Sequence, residues 1–136
     1  MLLGFEHVGM TVSDMDRAVA FYCDLLGLKL ALRKPVDRGE MGFFDTGTGM
    51  LEVFAPATKT VDRFRDVPNH EAGLRHITFA FSSVDEKFAE LEAAGIEVVE
   101  RPRAAFHKEM IQRVAFVRDY DGILVELIER APGRTS

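Results

Sequence analysis

Hydrophobic and polar residues alternate over several short segments of the chain, and turns containing glycine or proline separate these segments. Alternation with a period of two is typical of strands that bury one face. The pattern predicts strands at residues 4–12 and 74–82, with three more strands later in each half. After the first strand of each half, apolar residues recur with helical spacing instead. In the first half this stripe comprises Met15, Ala18, Val19, Tyr22 and Leu26.

The order of these elements repeats along the chain. Residues 4–56 and 74–129 each show the pattern of one strand, one helix and three further strands. The polar residues 57–73 are predicted to link the two halves, and residues 130–136 to form a disordered tail. An internal repeat of this kind indicates two related modules, here within one domain of 136 residues. The fold class predicted is α+β, with two tandem βαβββ modules.

Four side chains that can bind a metal occupy equivalent positions of the repeat. His7 and His76 lie in the first strand of each half, and Glu52 and Glu126 lie in the last. Each points away from the apolar side of its own strand, because neighbouring residues face opposite sides. A lone histidine or glutamate in a strand is usually structural, but four at matching positions favour a shared site. Two imidazoles and two carboxylates suit one divalent ion such as Zn²⁺, Ni²⁺, Co²⁺, Mn²⁺ or Fe²⁺.

Composition narrows the class of partner. The chain is 47% hydrophobic and 29% charged, which is typical of a soluble globular protein. A single cysteine, Cys23, excludes an internal disulfide and fits a reducing compartment, and no signal peptide is evident, so a cytoplasmic location is expected. The net charge is −5, without a basic cluster or a long apolar run. We therefore expect a small-molecule substrate, and neither nucleic acid nor a membrane.

Four segments of the chain resemble the vicinal oxygen chelate superfamily, which includes glyoxalase I, methylmalonyl-CoA epimerase, extradiol ring-cleaving dioxygenases and bleomycin-binding proteins. The segments are residues 7–30, 50–56, 75–81 and 114–129. The resemblance implies the glyoxalase-like fold, in which βαβββ modules form half-open β-barrels around one divalent metal ion per site. It also implies a homodimer whose site takes residues from both modules or both chains. By position, the four residues that match the metal set of bacterial glyoxalase I are His7, Glu52, His76 and Glu126.

The resemblance favours a lyase or isomerase similar to lactoylglutathione lyase. In such an enzyme, Glu52 and Glu126 would shuttle an α-proton of a small carbonyl substrate through an enediolate. Phe43 is an aromatic residue that could line the pocket. The predicted substrate contacts are Phe44, Phe54, Phe106, His107 and Arg113.

Two positions depart from the pattern of glyoxalase I. Thr11 stands where that family has a glutathione-binding arginine, and Pro56 stands where it has an asparagine. Both differences argue against a glutathione adduct as substrate, and the segment ending at Pro56 is more similar to the epimerase, which is one alternative. A ring-cleaving dioxygenase and a metal-free binding or resistance protein are the others. They fit less well, because the former uses two histidines with one glutamate and the latter lacks the metal set.

Overall fold

In a computed structural model, which describes residues 1–58 and 64–134, the chain divides into two compact units, Met1–Asp62 and Arg63–Ser136. Each unit contains one open four-stranded sheet and one helical segment. The predicted α+β fold with two βαβββ modules is therefore confirmed. Residues 59–63 of the predicted linker and residues 135–136 of the predicted tail lie outside the described part of the chain.

The first unit begins with a strand that later pairs with the last strand of the same unit. Its elements are β1 (His7–Thr11), α1 (Met15–Ala18), a π-helical segment (Val19–Leu25), β2 (Lys29–Val36), β3 (Gly39–Asp45) and β4 (Met50–Pro56). The strand order is β1-β4-β3-β2. β1 runs parallel to β4, and the other neighbours are antiparallel. Gly27 follows the helical segment and its C-cap Leu26, and its φ of 97° lies in the region that favours glycine.

The π-helical segment changes which residues of the helix are buried. The Leu26 amide donates a hydrogen bond to the Phe21 carbonyl at 3.0 Å, five residues back, as in a π-turn. The adjacent aromatic residues Phe21 and Tyr22 are both buried, and their rings meet edge to face with centroids 4.7 Å apart. Phe21 thus belongs to the core, while Val19 from the predicted stripe is only half-buried.

The second unit repeats this topology. Its elements are β5 (Ile77–Ala80), α2 (Val84–Ala93), β6 (Val98–Ala104), β7 (Ile111–Arg118) and β8 (Leu124–Arg130). The strand order is β5-β8-β7-β6, with β5 parallel to β8 and the remaining pairs antiparallel. Ser83 caps α2 by accepting a hydrogen bond from the Glu86 amide. The Glu129 carboxylate accepts another from the Val84 amide at 2.8 Å, which ties the helix to β8.

The last strand of each module has one buried face and one partly exposed face. In β4, Leu51, Val53 and Ala55 are buried, and Glu52 lies between them on the other side. In β8, Val125 and Leu127 are buried on either side of Glu126. This alternation is what directs both glutamates away from the core of their own module.

Several residues of the predicted linker and tail contact the second unit. Arg118 in β7 forms two hydrogen bonds of 2.8 Å with the Asp66 carboxylate, and the Phe64 amide donates to the Asp121 carbonyl. Ala131 is buried, and its amide donates to the Met110 carbonyl. Phe64 and Asp66 of the predicted linker and Ala131 of the predicted tail are therefore hydrogen-bonded to other residues of the second unit. None of the described helices is both long enough and apolar enough to cross a membrane.

Candidate functional site

In the first module, the pairing of β1 with β4 brings His7 and Glu52 together. Gly9 is the register partner of Glu52, so His7 lies two residues earlier on the same face of the sheet. His7 Nε2 is 3.6 Å from Glu52 Oε2, and the two side chains are 37% and 36% exposed. The other ring nitrogen, Nδ1, lies 3.5 Å from Oε1 of Glu6. An imidazole and a carboxylate thus share an accessible surface.

The second module places His76 and Glu126 in the same relation. His76 lies immediately before β5, and the residue two positions later, Thr78, is the register partner of Glu126. His76 Nδ1 is 4.0 Å from Glu126 Oε1, and the Thr78 hydroxyl group lies between them. Glu126 is only 12% exposed, so its carboxylate is more enclosed than that of Glu52.

A phenylalanine stands opposite the glutamate in both modules. Phe43 in β3 is the cross-strand partner of Glu52, and Phe116 in β7 is the partner of Glu126. The Phe43 ring meets the His7 ring edge-on at 6.2 Å, and the Phe116 ring meets the His76 ring in the same way at 5.6 Å. Phe116 was not among the predicted site residues. It could have been found by aligning the two antiparallel hairpins of the repeat.

Three of the predicted substrate contacts lie at accessible positions. Phe54 is on the same face of β4 as Glu52 and is half-buried. Phe106 is 82% exposed in the loop between β6 and β7, where the Arg103 guanidinium lies 4.3 Å from the centre of its ring. His107 follows in the same loop and is exposed. These residues remain predicted substrate contacts.

The other two predicted contacts, Phe44 and Arg113, lie in different surroundings, and only the burial of Phe44 contradicts the predicted role. Phe44 is 0% exposed and packs near Tyr22, because it faces the helix while its neighbour Phe43 faces the other way. Arg113 donates two hydrogen bonds, of 2.6 and 2.9 Å, to the Asp85 carboxylate in the first turn of α2. This pairing lowers the pKa of Asp85 and raises that of Arg113. Phe44 therefore belongs to the core of the first module, whereas Arg113 is 34% exposed beside Asp85 and stays a predicted substrate contact.

The spacing of the histidine–glutamate pair in the first module is compatible with metal binding. Ligand bonds of about 2.0–2.2 Å allow two donors of one ion to lie up to about 4.4 Å apart. The 3.6 Å separation of His7 Nε2 from Glu52 Oε2 in the first module falls within this limit. Within each unit, the described residues contain no group of three or more histidine, cysteine, aspartate or glutamate side chains arranged to hold an ion. Each module therefore brings together one imidazole and one carboxylate.

Comparison with known proteins identifies the family. A family model described as the Glyoxalase/Bleomycin resistance protein/Dioxygenase superfamily matches residues 4–127. The chain belongs to this superfamily. A probable lactoylglutathione lyase from Synechocystis sp. is 29% identical over 123 residues, which cover 90% of this chain and 92% of that protein. Lactoylglutathione lyase GLX1 from Arabidopsis thaliana is 30% identical over 132 residues, covering 94% of this chain but 44% of the plant protein.

A solved structure with a similar fold supports the topology. The crystal structure of SMU.1112c is similar to this chain with a TM-score of 0.79 and 28% sequence identity, and the match covers 95% of this chain and 100% of that one. The glyoxalase-like fold is thus shared over nearly the full length of both chains.

Proposed function

We propose that this protein is a divalent-metal-dependent lyase or isomerase of the glyoxalase I type. The observation that carries the proposal is the repeated histidine–glutamate pair, which has the same strand register in both modules. His7, Glu52, His76 and Glu126 would hold one ion, with an imidazole and a carboxylate from each module. The modules could belong to one chain or to two copies in a homodimer. The similarity to proteins named lactoylglutathione lyase supports this class of reaction.

The two glutamates have different environments and are the groups proposed to move the α-proton of the substrate. When bound, a divalent ion would supply Lewis-acid polarisation of the substrate carbonyl. Glu52 is half-exposed, whereas Glu126 is largely enclosed and accepts a hydrogen bond from Thr78. One carboxylate removes the proton to give the enediolate, and the same or the other carboxylate returns it to a different carbon or face.

The residues around each pair favour a small substrate. Phe43 and Phe116 present aromatic surface beside the histidines, and Phe54 shares the face of Glu52. Thr11, exposed on the His7 side of β1, offers a hydroxyl group where an arginine would offer a charged, bidentate donor to a carboxylate. A carbonyl compound that does not depend on glutathione fits this surface better. The second candidate is an acyl-CoA epimerase, because the segment that ends at Pro56 in β4 is more similar to that enzyme.

Metal content is the first test. The protein, purified without a histidine tag, should contain one divalent ion per chain by elemental analysis. His7→Ala and His76→Ala should each lose this ion, because each removes one donor of the set. His70→Ala is the matched control, since His70 is an exposed loop residue outside both pairs and its replacement should leave the metal content unchanged. A His7 or His76 variant with full metal content and full activity would contradict the proposal.

Activity is the second test. Metal-depleted protein is reloaded with each candidate ion and assayed on methylglyoxal–thiol adducts, methylmalonyl-CoA and catechols, with α-deuterium exchange in D₂O as a direct readout of proton transfer. Glu126→Gln should reduce turnover roughly 10²- to 10⁴-fold. Exchange on the CoA thioester alone would identify the epimerase. Oxygen uptake on catechols would identify ring cleavage, and tight ligand binding without metal would identify a binding protein.

A further inference from the structure

The Thr78 hydroxyl group connects the two members of the pair in the second module. Its Oγ1 lies 3.0 Å from His76 Nδ1 and donates a hydrogen bond of 2.7 Å to Glu126 Oε1. The imidazole nitrogen and the carboxylate are themselves 4.0 Å apart, which is too far for a direct hydrogen bond. Thr78 is therefore the group through which His76 and Glu126 interact.

The chemistry of the three groups determines the direction of both hydrogen bonds. A carboxylate only accepts, so the single hydroxyl hydrogen of Thr78 is directed to Glu126. The hydroxyl oxygen must then accept from His76, which requires that the neutral imidazole carries its hydrogen on Nδ1. Nε2 is left with the free lone pair, and it is the only ring nitrogen of His76 available to a metal.

The first module lacks this connection. The position equivalent to Thr78 is Gly9, the register partner of Glu52. A Cβ atom built on Gly9 would lie 3.8 Å from Glu52 Oε1. A side chain at this position would therefore lie beside the carboxylate, but glycine has no hydroxyl group to donate. His7 instead faces Glu52 directly through Nε2, at 3.6 Å. The two pairs occupy equivalent positions but differ in how their side chains are held.

We propose that Thr78 is a positioning residue that holds His76 as the Nδ1–H tautomer and keeps the Glu126 carboxylate beside it. The role in metal binding rests on the function proposed above, whereas the tautomer does not. Partners of this kind, which hydrogen-bond a metal-ligating histidine, typically contribute roughly 10- to 100-fold to metal affinity. The second module would thus present a pre-oriented pair, and the first module a pair that adjusts when the ion binds.

The test compares Thr78→Val, which removes the hydroxyl group but keeps a β-branched side chain suited to a strand, with Thr78→Ser, which keeps the hydroxyl group. The first readout is the ¹⁵N NMR spectrum of the histidine rings in metal-free protein at about pH 8.5, where imidazoles are neutral. Wild type and Thr78→Ser should show the hydrogen on Nδ1 of His76. Thr78→Val should show a shift toward Nε2–H. Thr58→Val, which removes an exposed hydroxyl group outside both histidine–glutamate pairs, is the matched control.

The second readout is metal affinity, measured by competition with a chelator. Thr78→Val should bind the ion roughly 10- to 100-fold more weakly, with Thr78→Ser close to wild type. A wild-type His76 protonated on Nε2 would overturn the proposal, as would a Thr78→Val variant with unchanged tautomer and affinity. If the tautomer changes as expected but wild-type protein binds none of the ions, the connection through Thr78 stands and the proposed metal-dependent function fails.

Discussion

Replacement of Asp119 should destabilise the second unit by a predictable amount. Asp119 is buried in the turn between β7 and β8, and its Oδ1 accepts hydrogen bonds of 2.9 Å from the amides of Asp121 and Ile123. Each hydrogen bond to a charged acceptor contributes about 1.5 kcal/mol or more, so Asp119→Ala should lower the free energy of unfolding by about 3 kcal/mol. With an unfolding entropy of about 2.1 cal/mol/K per residue over 136 residues, Tm should fall by about 10 °C.

The assay is urea unfolding followed by circular dichroism, together with a thermal melt. Asp119→Asn keeps an oxygen acceptor in the same place, so it should cost only about 1 kcal/mol. Glu109→Gln also removes one negative charge, but from an exposed position of the same unit, and should change stability by less than about 0.5 kcal/mol. A loss smaller than about 1 kcal/mol for Asp119→Ala would refute the reasoning, and so would equal losses for the two Asp119 variants.

Two further predictions concern ionisable groups. Because Arg113 lowers the pKa of Asp85, the pair should stabilise the fold above the ordinary pKa of an aspartate, and this contribution should disappear as the pH falls through the lowered value. Arg113→Gln should therefore unfold at lower urea than wild type near pH 7 but not near pH 2, and an equal difference at both would contradict the ion-pair explanation. Burial, with a smaller effect of Asp24, raises the pKa of the Cys23 thiol. Iodoacetamide should thus modify Cys23 more slowly than a small free thiol at neutral pH, and the rate should increase as the pH rises. Equal rates for Cys23 and the free thiol at neutral pH would contradict the raised pKa.

The repeat and the fold class could be predicted because both follow from the spacing of hydrophobic residues along the chain. A period-two alternation decides which side of a strand is buried, and the same alternation put Glu52 and Glu126 opposite their apolar neighbours. Equivalence between the two halves then paired each glutamate with a histidine. None of these inferences needed knowledge of distances between strands.

Features that depend on irregular geometry could not be predicted in this way. The helical stripe assumed 3.6 residues per turn, but the π-turn at Phe21 moves the buried face, so Phe21 takes the place expected for Val19. Phe43 and Phe44 are adjacent phenylalanines, and only the strand register shows which of them faces Glu52. An irregularity between Ile111 and Arg113 likewise shifts the pairing of β7 with β8. The side of the sheet on which Arg113 lies therefore cannot be deduced from alternation alone.

The position of Thr78 could not be predicted from the sequence for a different reason. A threonine in a strand is ordinary, and its place between His76 and Glu126 depends on a pairing across 48 residues of sequence. The repeat offered no hint, because the equivalent residue of the first module is a glycine. Only the register of β5 with β8 brings the hydroxyl group to the carboxylate.

The parallel pairing of the first and last strands of each module joins segments that are far apart in the sequence. β2, β3 and β4 are joined by short turns, so their hairpins can form within about 1–10 microseconds. β1 meets β4 only when a loop of about forty residues closes, and the entropy of that closure has to be lost before any contact is gained. We therefore expect the imidazole and the carboxylate of each half to come together after the hairpins have formed. Under the proposed metal-dependent function, metal added during refolding should leave the early hairpin phase unchanged.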